Sequence, residues 1–283
     1  MSSLEKPILT WFKKNKRDLP WRKTTPWGVM VSEYMLQQTP VNRVLPKWNE
    51  WIERWPTPKD LAKASPAQVI TAWGRLGYPR RALRLHAAAQ IIAEDFNNTV
   101  PEDQETLESL PGIGEYTAAA IAAFAFEQRS LVMDVNIRRL LVRAIDGEEH
   151  PKPAPTAQEK ARRLAILPDK NAHVWAAATM ELGALVCTSK NPSCELCPII
   201  GQCHWRKNGY PKTDLIRKSQ DWHGTDRKCR GTIVQALRDN ESLTEAAIKK
   251  LWPDESQVEK ALKTLADDLL IQRLPRNRYR LPQ

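Results

Sequence analysis

Four of the five cysteines lie in one short stretch, and this feature constrains the fold more than any other. They have the spacing C-x6-C-x2-C-x5-C and are Cys187, Cys194, Cys197 and Cys203. The first residues lack the layout of a signal peptide, so we expect a cytoplasmic chain, in which structural disulfides are rare. Four thiolates this close together then require a soft metal ion or an iron–sulfur cluster.

The spacing of the cysteines bears on which centre the loop holds. Zinc sites generally use two C-x2-C arms separated by a longer span, whereas here unequal spacings surround a single C-x2-C pair. We therefore favour a [4Fe–4S] cluster and keep zinc as the alternative. Cys229 stands apart from the group and is predicted to be a free thiol.

Charge and hydropathy restrict the partners. The 283-residue chain has a formal net charge of +10 and a pI of about 9.4, which favours a polyanion such as nucleic acid, or an acidic membrane surface. The longest apolar run, residues 118–126, is much too short to cross a bilayer. Nucleic acid is therefore the first class of partner to consider, and no membrane association is expected.

Helical patterns dominate the first two hundred residues or so. Apolar residues recur at helical spacing and Pro or Gly punctuates most gaps, which predicts an all-α fold with short connections. The predicted helices cover residues 4–16, 28–38, 41–54, 58–64, 66–75, 79–97, 103–110, 115–126, 135–145, 156–167 and 171–185.

A change of pattern marks a separate C-terminal part. Residues 211–230 are basic and loop-like, which predicts a linker. Three short helical patterns and a β-hairpin with a basic turn follow, at residues 232–238, 244–251, 256–269 and 270–281. Three helices and a hairpin are the outline of a winged helix, a fold that serves in binding DNA or another protein. We therefore predict domains at 1–210 and 231–283.

The segment Leu110-Pro111-Gly112-Ile113-Gly114 lies between two helical patterns and predicts a helix-hairpin-helix. Its two glycines permit a positive φ and leave room for a ligand. The N–H groups of the turn and of the following helix would point outwards at an anion such as a phosphate. An ordinary connection between helices is the alternative.

Two carboxylates could carry chemistry. Glu33 lies in the otherwise apolar helix 28–38, where desolvation would raise its pKa and make it a proton donor near neutral pH. The alternative is an exposed position beside Ser32. Asp134 precedes the helix 135–145, and a helix N-cap would also help to keep it ionised. One neutral acid and one fixed carboxylate suit cleavage of an N-glycosidic bond.

The cysteine spacing and the Leu-Pro-Gly-Ile-Gly turn together resemble those of the helix-hairpin-helix DNA glycosylases that carry a [4Fe–4S] cluster. More narrowly, the chain resembles the MutY-type adenine DNA glycosylases over residues 4–210. The resemblance implies two helical lobes with DNA and the active site between them, the cluster lobe including residues 1–25 and 135–210. It also implies a substrate of double-stranded DNA containing a mispaired adenine. We expect a monomer that acts in the cytoplasm at the nucleoid.

The resemblance also implies catalytic roles. In the family, the glutamate that matches Glu33 protonates adenine at N7 and helps to activate water, and the aspartate that matches Asp134 stabilises the sugar cation or forms a transient adduct. Asn136 is expected to support them as a hydrogen-bond donor. Tyr116 stands where bifunctional relatives have a Schiff-base lysine, which implies a monofunctional enzyme that leaves an abasic site. A core aromatic is the alternative for Tyr116.

Further positions match family residues that contact DNA or the extruded base. The expected DNA contacts are Gln37, Gln38, Thr39, Leu76, Tyr78, Gly112 and Gly114, with Tyr78 as an intercalating wedge. The residues expected to line the adenine pocket are Arg17, Leu19, Trp21 and Glu181. Leu19 and Trp21 read equally well as core residues. Arg75 and Pro79 flank the wedge where the family more commonly has Gly and Tyr.

The C-terminal part departs from the family. Many such enzymes recognise 8-oxoguanine with a longer β-rich domain, for which residues 220–283 are too few. The predicted activity is removal of adenine opposite 8-oxoguanine or guanine. A thymine-mismatch or oxidised-pyrimidine glycosylase is the alternative enzyme, which Gln37-Gln38 and Tyr116 argue against. A non-catalytic iron–sulfur DNA-binding protein is the alternative of another class.

Overall fold

The computed structural model describes residues 4–213 and 224–283. Residues 4–213 form α-helices joined by short turns, which confirms the all-α prediction for this part of the chain. In chain order the helices are α1 Glu5–Asn15, α2 Pro26–Leu36, α3 Val41–Arg54, α4 Pro58–Ala62, α5 Pro66–Trp73, α6 Arg80–Asp95, α7 Gln104–Ser109, α8 Glu115–Phe126, α9 Val135–Leu141, α10 Ala157–Ala165, α11 Ala172–Leu185 and α12 His204–Lys207. A π-helical turn, Val142–Asp146, extends α9.

The chain divides into two compact units, each built from segments that are distant in sequence. Unit 1 contains the described residues 4–29, 102–109 and 113–213. Unit 2 contains the described residues 30–101, 110–112 and 224–283. The predicted cluster lobe corresponds to part of unit 1, which also takes in α8.

Unit 1 is held together by the packing of α1, α8, α9 and α11. The apolar side of α1 buries Ile8 and Phe12 in a core that also contains Trp175 of α11. Small residues let the helices approach closely. A Cβ atom on Gly183 of α11 would lie only 2.5 Å from the carbonyl oxygen of Asn136 in α9, so glycine is required at this crossing.

Unit 2 has an aromatic centre. The ring of Trp51 in α3 meets those of Trp55 and Trp73 edge to face, with centroids 4.6 Å and 5.5 Å away. Capping boxes begin α4 at Thr57 and α5 at Ser65, where each side chain accepts a hydrogen bond from the third residue of its helix. These local signals explain why both helices were predictable from the sequence.

The C-terminal residues form three helices and a small sheet, and their assignment as a winged helix stays a prediction. In order these are α13 Asp226–Asp239, β1 Leu243–Thr244, α14 Glu245–Lys249, α15 Glu255–Asp267, β2 Gln272–Leu274 and β3 Arg278–Arg280. The three strands are antiparallel in the order β1-β3-β2. The strand β1 is too short to show an alternating pattern, and the sequence did not predict it.

The predicted linker is partly wrong. Thr225 caps α13 by accepting a hydrogen bond from the Lys228 N–H, so the helix begins at Asp226, inside the predicted linker 211–230. Residues 214–223 of that linker lie outside the described residues. The C-terminal elements also share a core with the first part of unit 2, since Ile70 of α5 is fully buried among Cys229, Ile233 and other residues of 229–281.

None of the helices in the described ranges is long and apolar enough to cross a membrane.

Candidate active site and cysteine loop

Glu33 is a buried carboxyl on α2. The helix is apolar on nearly all sides, and Glu33 is only 5% exposed, with the fully buried Ser32 and Tyr34 as its neighbours in the chain. The alternative in which Glu33 lies on an exposed polar face is therefore wrong. Burial of a carboxyl favours its neutral form, and the neutral form is the one that a general acid needs.

The end of α2 is held by an arginine that the sequence did not indicate. Buried Arg81 of α6 donates hydrogen bonds to the carbonyl oxygens of Tyr34 at 3.0 Å, Met35 at 3.2 Å and Gln37. It also donates to the carbonyl of Gly77 at 3.0 Å. One guanidinium therefore ties the end of the Glu33 helix to the turn that carries Tyr78.

Replacing Arg81 with Met is expected to lower the free energy of unfolding by about 3 kcal/mol or more. The variant would leave several buried carbonyl groups without a donor, and each such loss costs about 1–3 kcal/mol. Urea denaturation followed by circular dichroism measures the change. Lys63→Met is the control, because Lys63 is an exposed cation of the same unit. Equal stability of the two variants would contradict this role of Arg81.

Only one of the two glycines in the hairpin between α7 and α8 has a positive φ. Gly112 has φ +85°, and a Cβ atom there would lie 2.8 Å from Cβ of Arg84. Gly114 has φ −111° and is the N-cap of α8, so the expectation of a positive φ at Gly114 is wrong. A Cβ atom on Gly114 would meet nothing within 4 Å, so the space outside the turn is open.

The predicted wedge segments pack against the hairpin within unit 2. The side-chain amide of Gln37 donates to the Gly112 carbonyl at 3.5 Å, and the hydroxyl of Tyr34 donates to the Pro111 carbonyl. Gln38 is exposed with φ +54°. These contacts fix the end of α2 against the turn that is predicted to hold a phosphate.

The residues predicted to contact DNA differ in accessibility. Tyr78 is 42% exposed, and a side chain that inserts into DNA must be accessible. Its φ is +47°. Leu76 and Thr39 are buried, and the Thr39 hydroxyl accepts a hydrogen bond from Arg81 at 3.0 Å. These two residues support the turn from within, because an apolar side chain and a bonded hydroxyl are stable there. Their contact with DNA stays a prediction.

Asp134 is the N-cap of α9. One of its carboxylate oxygens accepts hydrogen bonds from the backbone N–H groups of Asn136 at 2.6 Å and Ile137 at 3.4 Å. This geometry places the carboxyl group at the positive end of a helix. The predicted cap is therefore confirmed, and the role of Asp134 as a fixed negative charge stays a prediction.

A hydrogen-bonded chain leads from Asp134 to the cysteine loop. The side-chain oxygen of Asn136 accepts from Arg139 at 2.7 Å, which leaves the amide nitrogen as the side chain's donor. Arg139 also donates to the carbonyl oxygens of Gly183 at 2.6 Å and Cys187 at 2.8 Å. The sequence did not indicate Arg139 or Gly183, although both determine where the start of α9 lies.

Tyr116 is the second residue of α8. Its side chain is half-buried and packs against the unit 1 core. This arrangement is compatible both with the core reading and with a partly exposed position at the end of the helix.

Glu181 organises the predicted base-pocket residues of unit 1. The carboxylate is 2% exposed and accepts hydrogen bonds from the backbone and side chain of Arg17 at 2.7–2.9 Å and from Arg22 at 3.1 Å. Burial raises the pKa of Glu181, but the hydrogen bonds and charges of the two arginines outweigh it and hold the pKa below its ordinary value. Leu19 and Trp21 are both buried beside Arg17 in the chain.

All four cysteines of the loop line one shared cavity. Arg143 is buried in the π-helical turn and donates hydrogen bonds to the Cys187 sulfur at 3.4 Å and to the Thr188 carbonyl at 2.8 Å. The central carbon of its guanidinium lies 4.5 Å from the centre of the Trp205 ring. Burial is the main cause that raises the pKa of Cys197, to about 12. A thiolate there therefore needs a cationic centre.

In the described part of the chain, no three Cys, His, Asp or Glu side chains converge as ligands of a single metal ion. The four thiols nevertheless share one cavity. The preference for an iron–sulfur cluster over zinc therefore depends on the spacing of the cysteines in the sequence.

The chain is similar to known proteins of DNA repair. A model described as "HhH-GPD superfamily base excision DNA repair protein" matches residues 31–165. The adenine DNA glycosylase of Mycobacterium tuberculosis (strain CDC 1551 / Oshkosh) is 46% identical over 281 residues, which cover 97% of this chain and 92% of the relative. The chain belongs to the adenine DNA glycosylase family. The human adenine DNA glycosylase is 39% identical over 212 residues, covering 71% of this chain and 39% of that protein.

The protein is thus a DNA N-glycosylase of base excision repair that acts on adenine, as the resemblance implied. The thymine-mismatch, oxidised-pyrimidine and non-catalytic alternatives are set aside. A thermostable thymine-DNA glycosylase superposes with a TM-score of 0.65 at 24% identity, over 71% of this chain and 94% of that one. An endonuclease III–DNA complex gives 0.63 at 19% identity, over 73% and 95%. At these identities the likeness shows the fold alone.

Proposed function

We propose that the enzyme removes adenine paired with 8-oxoguanine or guanine in double-stranded DNA, with Glu33 as the general acid and Asp134 as the carboxylate that stabilises the sugar. The observation that carries the proposal is the burial of Glu33 in an apolar helix, since desolvation favours the form of a carboxyl that can donate a proton. We propose further that the enzyme acts as a monomer in the cytoplasm at the nucleoid.

The reaction is a hydrolysis in two stages. Glu33 would donate its proton to N7 of adenine, so that the C1′–N9 bond breaks and neutral adenine leaves with the bonding electrons. The capped carboxylate of Asp134 would stabilise the positive charge that develops on the sugar. Water then adds to C1′ and its proton returns to Glu33, which restores the enzyme and leaves an abasic site.

The adenine pocket is proposed to include Arg17, Leu19, Trp21 and Glu181. Because both oxygens of Glu181 accept hydrogen bonds from arginines, its role would be to hold the segment 17–22 in place. Asn136 would keep Asp134 oriented through the capped turn and its bond to Arg139. These residues position the base and the carboxylate before any bond breaks.

We infer that Cys187, Cys194, Cys197 and Cys203 hold a [4Fe–4S] cluster. The cluster would supply a structural cross-link and a local charge, and Arg143 would offset the negative charge of its thiolates. Its fit rests on the cavity that all four cysteines share.

The strand is proposed to remain intact. A lyase needs an amine that forms a Schiff base with C1′, and position 116 has a tyrosine instead. The preference for the base opposite adenine would depend on Gln37, Gln38 and Tyr78, with Gly112 and Gly114 anchoring the backbone of the strand.

A labelled duplex with one central A:8-oxoguanine pair tests the proposal. Strand cleavage should appear only after alkali or heat, because the enzyme itself leaves an abasic site. A:G, T:G and thymine-glycol duplexes of the same sequence are run in parallel, and we expect product only from the pairs that contain adenine. Direct strand cleavage without alkali would overturn the monofunctional assignment, and preference for T:G would overturn the substrate.

A further inference from the structure

The C-terminal elements are joined to the catalytic part of unit 2 by more than chain connectivity. Ile70 of α5 lies in the core of the C-terminal elements, and Arg238 of α13 donates to the Ile70 carbonyl at 3.1 Å. Asp268 pairs with Arg80 of α6 at 3.1 Å and with Arg230 of α13 at 2.5 Å. These contacts fix the start of α13 close to the turn between α5 and α6.

That placement brings Arg227 onto Tyr78. The guanidinium carbon of Arg227, in the first turn of α13, lies 4.4 Å from the centre of the Tyr78 ring. A Cβ atom on Gly77 would lie 3.9 Å from the Arg227 side chain, so the arginine covers the turn as well as the ring. Stacking of this kind contributes to orienting an aromatic side chain even at an exposed site.

Tyr78 is a residue that benefits from such support. It has a positive φ and a ring that is 42% exposed, and an unsupported exposed side chain would sample several rotamers. Arg81 also approaches the ring, at 5.5 Å from its centre, but it is buried and committed to backbone carbonyls. Arg227 is the stacking partner supplied by the C-terminal elements.

The surroundings of Tyr78 are strongly cationic. Burial is the main cause that lowers the pKa of Arg81 to about 10, and the charges of Arg227 and Arg43 lower it further. Arg43 donates to the Arg75 carbonyl in the same turn. Like charges gathered at one place cost free energy unless an anion is bound, which indicates that this face meets a polyanion.

We propose that Arg227 is a positioning residue for Tyr78, through which the C-terminal elements take part in engaging the DNA strand at the mispair. This inference rests on the proposed role of Tyr78 as a wedge. Arg227 holds the ring in place before DNA binds, and its charge lies beside the phosphates that flank the inserted ring. Recognition of the mispair is then shared between residues 76–78 and a domain that the catalytic chemistry does not use.

A double-mutant cycle on the full-length protein tests the proposal. The variants are Arg227→Ala, Tyr78→Ala, the double variant and Arg227→Lys, with Lys263→Ala as a control that removes one exposed positive charge from α15. The measurements are the Kd for an A:8-oxoguanine duplex, the single-turnover rate, and the fluorescence of 2-aminopurine placed next to the mispair, which reports base unstacking.

We expect Arg227→Ala to weaken binding roughly 3- to 20-fold and to reduce the 2-aminopurine signal, as loss of one cation–π contact predicts. In the Tyr78→Ala background the same change should have little further effect. Arg227→Lys should recover part of the signal, and Lys263→Ala should leave it unchanged.

Two results would overturn the inference while leaving the wedge role intact. One is a strong effect of Tyr78→Ala with Arg227→Ala no worse than Lys263→Ala. The other is simple additivity of the two changes in the double variant. If Tyr78→Ala changes neither binding nor fluorescence, the wedge assignment itself fails and the role of Arg227 falls with it.

Discussion

Replacing Glu33 with Gln should abolish adenine release while leaving DNA binding largely intact. Glutamine has the size of glutamate but carries no acidic proton, so the base would leave without protonation at N7. Loss of a general acid lowers rates by about 10²- to 10⁴-fold, and we expect about 10³-fold in the single-turnover rate on an A:8-oxoguanine duplex. The Kd for the same duplex should change by no more than about 3-fold.

Glu94→Gln is the matched control. Glu94 lies on the exposed side of α6, and the same loss of one carboxylate there should change neither rate nor affinity. A Glu33→Gln variant that releases adenine at more than a tenth of the wild-type rate would show that another group supplies the proton. The general acid would then have to be sought among other side chains.

Replacing Cys197 with Ser should remove the cluster and much of the stability of unit 1. A serine hydroxyl is a poor ligand for iron, and the free energy of binding a structural metal centre is of the order of 10 kcal/mol. We expect purified Cys197→Ser protein to lose its brown colour and most of its iron and sulfide. Its free energy of unfolding should fall by several kcal/mol.

The Cys197→Ser replacement should also lower the rate of adenine release. Arg139 bonds both the Cys187 carbonyl and Asn136, so disorder in the loop would reach the turn that orients Asp134. Cys229→Ala is the matched control because Cys229 is buried in unit 2, away from the loop in the sequence. If anaerobically purified wild-type protein is colourless and contains stoichiometric zinc, the cluster assignment is wrong.

Local signals explain what the sequence predicted well. Capping residues, the Pro and Gly of the hairpin, and the single Asp before α9 act on neighbours within a few positions, so their effects can be read in order along the chain. The apolar surroundings of Glu33 likewise belong to its own helix. The cysteine spacing identified the loop without any knowledge of its partners.

Long-range contacts explain what the sequence did not predict. Arg81 donates hydrogen bonds to residues 42–47 positions away in the sequence. The sequence around Arg81 does not indicate which residues these partners are. One signal was available, because Arg81 shares a helical stripe with the buried Leu85, Ala88 and Ile92. A polar residue in an apolar stripe has to find partners inside the fold.

The positive φ expected at Gly114 failed for a related reason. Either glycine of the hairpin could have supplied the turn. The positive φ is at Gly112, where a Cβ atom would also lie within 3.0 Å of Arg84 and Tyr34. The stacking of Arg227 on Tyr78 was likewise hidden, since it joins positions that the chain separates by about 150 residues.

The shared core around Ile70 has a consequence for the order in which the chain can fold during synthesis. Ile70 is synthesised early, but the side chains that cover it belong to residues 229–281, which leave the ribosome much later. In unit 1, Ile8 and Phe12 of α1 are likewise covered only after α11 has been synthesised. Nascent domains usually fold from the N-terminus as they emerge. Here both units stay incomplete until late in translation, so a ribosome that stalls before residue 229 would release a chain with an uncovered apolar face on α5.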